Sequence, residues 1–319
     1  MSHLVESMAF VGQTPWHGLG NQLNENQPIE IWAAQAGLDW EIRKSPAQFI
    51  IGSEGHYIGE LKEVPEKQVL YRSDTHAPLS VVSNRYNVVQ PSEILEFYRD
   101  LIEVSGFQLE TAGALKGGKK IWALARTGQS GTLKGNDVTN GYVLLATACD
   151  GTLATTAQFT SIRVVCNNTL AIAIGDNTGA IKVPHNTTFD AQRVKQQLGL
   201  SVSHWDDFMY RLKQLSDRKV NSRGAKSYIE RIFTDTTQNV PKTNERAMAK
   251  VLNLFEGHGR GSDLSSSKNT AYGLLNAVTE FVDHERRAHS TDNRLDSAWF
   301  GQGATIKKKA LDEALLLTA

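Results

Sequence analysis

Between Phe107 and Cys166 the chain runs through five stretches of β-branched, aromatic and small apolar residues broken by two glycine turns, and this run limits the fold more than any other feature. FQLETAGAL (107–115) and KIWALARTG (120–128) are separated by Lys116-Gly117-Gly118-Lys119. A Gly-Gly step supplies the positive φ that a tight hairpin turn needs. Gly141–Cys149, Thr152–Phe159 and Ile162–Cys166 continue the pattern, with Asp150-Gly151 as a second turn dipeptide. Strands joined by so few residues lie antiparallel, so the segment predicts an antiparallel sheet of four or more strands. Asn167-Asn168-Thr169 fits the end of a strand or the cap of a short helix equally well, and Leu170–Ile174 is too short to decide.

Elements on either side follow from their punctuation. Pro28 before IEIWAAQAGL opens a short helix that ends near Gly37. Asp39–Ile51, Val69–Arg72 and Leu79–Asn84 read as extended segments. Pro91-Ser92-Glu93 opens a helix whose apolar residues Ile94, Leu95, Phe97, Tyr98, Leu101, Ile102 and Val104 recur at helical spacing up to Gly106. Past Pro184 strand patterning stops. Thr188 or Asp190 caps one long helix to about Lys219, with Trp205, Phe208, Met209, Leu212 and Leu215 on a stripe. Ser222–Phe233, Asn244–Phe255, Asn269–Arg287 and Lys307–Leu317 are further helices, separated by Pro241, by the polar GHGRGSDLSSS stretch and by Ala288–Asn293. The expected fold class is α+β: a central antiparallel sheet with flanking helices over residues 1–186, then a mostly helical region over 187–319.

Composition bounds the function. The 34 Lys and Arg balance 34 Asp and Glu, so there is no global basic character to announce a nucleic-acid binder. The balance is uneven along the chain: residues 1–100 hold 7 basic and 13 acidic side chains, and residues 182–231 hold 10 and 5. Cys149 and Cys166 are too few for a disulfide framework and lack metal-finger spacing. MSHLVESMAF does not have the layout of a secretion signal, and no stretch approaches the roughly 20 apolar residues of a membrane span. The reading is a cytoplasmic protein with no membrane attachment.

Chemical motifs are few. Gly113–Lys119 satisfies G-x-x-x-x-G-K, but Lys120 stands where a phosphate loop needs Ser or Thr, and the following residues read as a strand rather than a helix. Gly257-His258-Gly259-Arg260-Gly261 lacks the preceding strand and the spacing of a dinucleotide fingerprint and reads as an interhelix loop. His284 and His289 are five apart rather than four, His17, His56, His76, His185 and His204 are scattered, and both cysteines fall in strands. No catalytic constellation, cofactor site or metal site can be named from these motifs, which leaves an enzyme open without assigning it residues. What the sequence does offer is local positive charge beside aromatics. Lys116, Lys119, Lys120, Arg126 and Arg163 accompany Trp122 and Tyr142, a combination that neutralises phosphates and stacks on unpaired bases. The bland alternative is a solvated lysine tip with Trp122 in the core.

Five blocks carry a family resemblance: Ser7-Met8-Ala9-Phe10 with Thr14–Gly20 (TPWHGLG), Ser83-Asn84-Arg85-Tyr86, Thr160–Leu170 (TSIRVVCNNTL), Thr270-Ala271-Tyr272-Gly273 with Asp283-His284, and Ser297–Gly301 (SAWFG). Together they resemble the phage/plasmid-like protein family, catalogued as a domain of unknown function. The resemblance implies a setting in phages, prophages and conjugative plasmids among DNA-metabolism genes, and it supplies no catalytic residue. The β-rich centre with a lysine-tipped hairpin is broadly similar to single-strand annealing proteins, a likeness of fold only. The expectation is a protein that binds single-stranded DNA through Lys116, Lys119, Lys120, Arg126, Arg163 and Arg85, with Trp122 or Tyr86 as stacking platform. It would anneal or protect the strand as a homo-oligomeric ring or filament, without metal or nucleotide. Two alternatives stand beside it. One is an interaction protein that binds a host partner to blunt host defence. The other is a metal-dependent nuclease or nucleotide-modifying enzyme drawing on Asp150, Asp176, Asp283 and Glu285.

Overall fold

The computed structural model describes residues 5–12, 20–52, 59–165, 168–171, 180–202, 204–235 and 242–318. Trp16-His17-Gly18, Cys166, Asn167, Asp176 and Pro241 lie outside them. In chain order the first elements are β1 (Val5–Val11), β2 (Asn21–Leu23), α1 (Ile29–Gln35), β3 (Ile42–Ile51), β4 (Glu60–Arg72), β5 (Pro78–Ser83) and α2 (Pro91–Ser105). The meander follows: β6 (Gln108–Leu115), β7 (Lys120–Leu133), β8 (Asp137–Ala148), β9 (Thr155–Arg163), β10 (Asn168–Ala171) and β11 (Ala180–Val183). Helices complete the chain: α3 (Ala191–Val202), α4 (Trp205–Asp217), α5 (Ser222–Phe233), α6 (Glu245–Asn253), α7 (Ala271–Glu280), α8 (Thr291–Phe300) and α9 (Gln302–Leu316).

The expected α+β class is present. The large sheet has the order β10-β9-β8-β7-β6-β1-β2, with β11 on β9. It is mixed rather than purely antiparallel, because β1 runs parallel to β2 while pairing antiparallel with β6. β3-β4-β5 form a separate antiparallel sheet. Asn168 and Thr169 extend a strand, pairing with Arg163 and Ile162. The long helix expected from Asp190 to Lys219 is two helices, α3 and α4. Asp190 does cap α3, its carboxylate accepting from the Arg193 N–H at 3.1 Å. Elements without a counterpart in the sequence reading include β1, β2, β11, and α8 inside a stretch partly read as polar tail.

The chain divides into two compact units, each built from three segments. The first comprises Met1–Ala125, Leu144–Ala157 and Ile181–Gln196, and the second Arg126–Val143, Gln158–Ala180 and Gln197–Ala319. β7, β8 and β9 each give part of their length to both, so residues 187–196 of the expected helical region belong with the first unit.

In the first unit α2 buries Ile94, Leu95, Phe97 and Tyr98. Its caps explain its bounds: Gln90 and Glu93 form a reciprocal capping box, and Gly106 closes the helix at φ 69°. The Tyr98 hydroxyl is satisfied by the Ala123 carbonyl at 2.8 Å. The tip between β6 and β7 packs against the β3-β4-β5 sheet, since a Cβ on Gly118 would stand 2.8 Å from the Trp40 ring. Arg72 lies 4.2 Å over that ring and forks onto Asp74.

In the second unit α7 is buried along its whole length. A helix buried on every side must be apolar or have its polar groups partnered. Asn276 donates to Tyr272 O, and the Thr279 hydroxyl to Asn276 O. Phe159, Trp205 and Phe208 pack ring on ring between β9 and α4. The Tyr228 hydroxyl of α5 is held by Ala310 O of α9 at 2.7 Å.

Candidate nucleic-acid interface

The structure divides the residues expected to contact DNA into two classes. Lys120, Trp122 and Arg163 are buried at 5%, 3% and 3% exposure. Trp122 is therefore a core residue, and its ring is not a stacking surface. Lys120 opens β7, which also removes the helix that a phosphate loop would need after Gly118-Lys119. Arg126 is exposed, with its guanidinium 5.9 Å from the Tyr142 ring.

Arg163 is a strut. Its Nε and one terminal nitrogen donate to the two carboxylate oxygens of Asp137, each at 2.7 Å. The same terminal nitrogen reaches Ser267 Oγ at 2.8 Å and Gly261 O at 3.2 Å, and the Ser266 hydroxyl donates to Asp137 at 2.5 Å. The Tyr272 ring lies beneath, 5.3 Å away. The second unit holds another buried pair: Lys307 Nζ donates to Asp283 at 2.8 Å and to the Thr169 hydroxyl at 2.6 Å, while the Thr169 N–H donates to Asp283 at 2.8 Å. Of the carboxylates weighed for metal chemistry, Asp283 is thus engaged by Lys307, Glu285 pairs with Lys250 at 3.1 Å, and Asp150 accepts from Thr152. Among the described residues no three of His, Cys, Asp and Glu come together as a metal site.

The other class gathers in the first unit. The Lys119 carbonyl accepts the Cys149 N–H at 2.9 Å, and Lys116 O accepts from Lys119 N at 3.4 Å. One residue before Cys149, the Ala148 carbonyl accepts the Tyr86 hydroxyl at 2.7 Å, and Ser80 Oγ donates to Cys149 O. The chain at 148–149 therefore ties the Lys116–Lys119 turn to the segment holding Arg85 and Tyr86. Two further groups join. Lys44 Nζ donates to Tyr86 O at 2.9 Å, and the His185 ring stacks on Tyr86 with centroids 4.5 Å apart and an 18° interplanar angle. His185 Nδ1 faces Asn87 O at 3.1 Å and Nε2 faces Leu153 O at 3.0 Å. Carbonyl oxygens only accept, so the ring serves both when both nitrogens carry protons. Lys44 and Arg85 are exposed, and Lys116, Lys119, Tyr86 and His185 are half-buried.

The electrostatics follow from this packing. Burial, with the charge of Asp150 behind it, pushes the Cys149 thiol up to about 12, which leaves it a protonated, unreactive core thiol. Burial raises the Tyr86 phenol as well, so it stays a neutral donor to Ala148 O. The segments joined in this way carry Lys44, Arg85, Lys116 and Lys119 and the half-buried Tyr86–His185 ring pair, and the charge of Asp150 acts on Tyr86 and Cys149. Lys44 and His185 were not identifiable from sequence. They lie 42 and 99 positions from Tyr86, and only the fold brings them to it.

The model of the family described as a domain of unknown function (DUF932) matches residues 78–299. The chain belongs to that family. The DUF932 region takes in the Arg85-Tyr86 segment, the lysine turn and the Arg163–Asp137 network alike. Neither a curated protein nor a solved structure matches the chain significantly. Two of the five blocks behind the sequence resemblance, one containing Arg163 and the other Tyr272 and Asp283, contribute to the buried networks of the second unit, so these residue types are explained by partnering of buried charge rather than by contact with a ligand.

Proposed function

We propose that the protein binds single-stranded DNA and anneals or shields it, in the setting of a mobile genetic element and as an assembly of several copies. The observation that carries this reading is that one hydrogen-bonded set of segments in the first unit holds Lys44, Arg85, Lys116 and Lys119 together with the Tyr86–His185 stack. Flexible cations take phosphates in any sequence, and an aromatic platform takes the face of any unpaired base. A paired duplex hides those faces, so the surface favours single strands. Four cations give weak binding per copy, and repetition of the surface in a ring or filament multiplies it.

The contact set proposed here is Lys44, Arg85, Tyr86, Lys116, Lys119 and His185; Arg126 belongs to the second unit and is not part of it. Lys120, Arg163 and Trp122 leave the set because they are buried. The test is fluorescence anisotropy of a labelled oligothymidylate with the charge-reversed variants Lys116→Glu and Lys119→Glu combined. The reading expects affinity to fall by about tenfold or more. Unchanged affinity in a folded double variant would remove this surface from consideration.

A further inference from the structure

The second unit carries a groove that takes no part in the surface above. It has a volume of about 1110 Å³ and is walled by the C-terminal end of α5, the start of α6, the turn that follows α7, and α9. Ile232, Phe233, Ala247, Phe281 and Ile306 form its apolar lining. The Phe233 and Phe281 rings meet edge to face, centroids 5.6 Å apart at 88°. The Thr234 and Thr243 hydroxyls at its side bond to one another at 3.0 Å.

Its charged lining is lopsided: Arg246, Lys250, Arg286, Arg287 and Lys309 face only Glu245 and Glu285. Lys250 is neutralised by Glu285. Arg286 is held by Ser297 Oγ at 2.8 Å and by Gln302 Oε1, and Lys309 reaches Ile232 O at 3.5 Å. Arg246 and Arg287 are exposed and, among the described residues, neither has a carboxylate partner. α6 also begins in this wall, capped by Asn244, whose side chain accepts from Ala247 N at 3.1 Å, and a helix N-terminus adds positive potential of the same sign.

An apolar, aromatic lining beside two unpaired guanidinium forks describes a ligand with two parts. The planar guanidinium matches phosphate oxygens in pairs. A flat ring packs on aromatic edges and faces. The volume is slightly above the usual range of about 300 to 1,000 Å³ for small-molecule sites. We propose that this groove binds a nucleotide, its phosphates on Arg246 and Arg287 and its base against Phe233 and Phe281. The polar side chains beside the rings are engaged within the protein, Thr234 with Thr243 and Asn244 with the Ala247 N–H, so no base is singled out. The same chemistry arises from a free nucleotide or from the 5′-phosphorylated terminal nucleotide of a strand.

The experiment uses the full chain and fluorescently labelled ATP as probe. Binding in the micromolar range is expected, weakened about tenfold or more by Arg246→Glu combined with Arg287→Glu and to a lesser degree by Arg246→Lys with Arg287→Lys, which keeps the charge and loses the fork. Arg85→Glu and Lys119→Glu should leave it unchanged, which separates this site from the single-strand surface. Displacement of the probe by a 5′-phosphorylated oligothymidylate but not by its 5′-hydroxyl form assigns the groove to strand ends. Displacement by neither assigns it to free nucleotide. No probe binding at millimolar concentration, or binding indifferent to the double charge reversal in a folded protein, overturns the proposal. So does displacement by pyrophosphate or a polyglutamate peptide as effective as by ATP, because the aromatic lining would then contribute nothing.

Discussion

Arg163 and Asp137 place opposite charges side by side at 3% and 1% exposure. Each is stable there only because the other, with Ser266, Ser267 and the Gly261 carbonyl, replaces the lost water. Arg163→Ala leaves Asp137 charged and buried, and should lower the free energy of unfolding by about 3 to 5 kcal/mol in denaturant titration. A loss under about 1 kcal/mol would mean that the pair is solvated in the folded protein. Glu280 is a buried carboxylate of the opposite kind. Burial raises its carboxyl above the ordinary 4.5, although the Arg260 N–H donates to both oxygens at 3.2 and 3.0 Å. A raised carboxyl pKa means that the folded state holds its proton more tightly, so the associated stability is full below pH 4.5 and is lost as pH rises through the folded value. Glu280→Gln should therefore gain stability on the wild type at neutral pH and lose that advantage at pH 4. An advantage that grew on acidification would reverse the sign and refute this assignment. Asp74 runs the other way: the hydrogen bonds from Arg72 lower it from 3.8 to about 2, so its contribution is present above 3.8 and fades as pH falls toward 2.

Glycines decide how closely several elements approach. A Cβ on Gly273 in α7 would stand 2.0 Å from Ser267 O, a backbone atom of the loop that holds Arg163, so it cannot swing aside as a flexible side chain would. Gly273→Ala should cost about 3 kcal/mol or more by displacing that loop, visible as a lowered melting temperature. An unchanged melting temperature would show that the loop gives way freely. Elements with strong local punctuation were legible in the sequence: α5 runs over Ser222–Phe233 as its spacing predicts, α2 ends at Gly106, and the Gly-Gly and Asp-Gly turns mark the meander. β1 was not legible because VESMAFV does not alternate. It is fixed by pairing with β6 about a hundred residues later, where a Cβ on Gly113 would stand 2.8 Å from Met8 Cβ. The break between α3 and α4 has no proline to announce it, and Gly199, inside the last turn of α3, is weak punctuation by itself. At the site, charge alone could not separate Lys119 from Lys120 or Arg85 from Arg163. Burial separates them, and burial depends on partners such as Asp137 that lie far along the chain.

For the molecule as a whole, a formal net charge of zero means that long-range attraction does not carry nucleic acid to it, and any binding depends on local surfaces. No helix among the described residues is long and apolar enough to cross a membrane. The central claim concerns one of those local surfaces, and phosphate contacts reveal themselves through salt. Each neutralised phosphate of a single strand contributes a slope of about −0.7 to the dependence of log affinity on log salt. The most direct measurement is therefore oligothymidylate affinity across a salt series for the wild type and for Lys116→Gln with Lys119→Gln. The account predicts a slope near −3 for a four-cation surface, reduced in magnitude by about 1.4 in the variant, with duplex bound more weakly than single strand. A flat salt dependence, or a slope that the two substitutions leave unchanged, would contradict it.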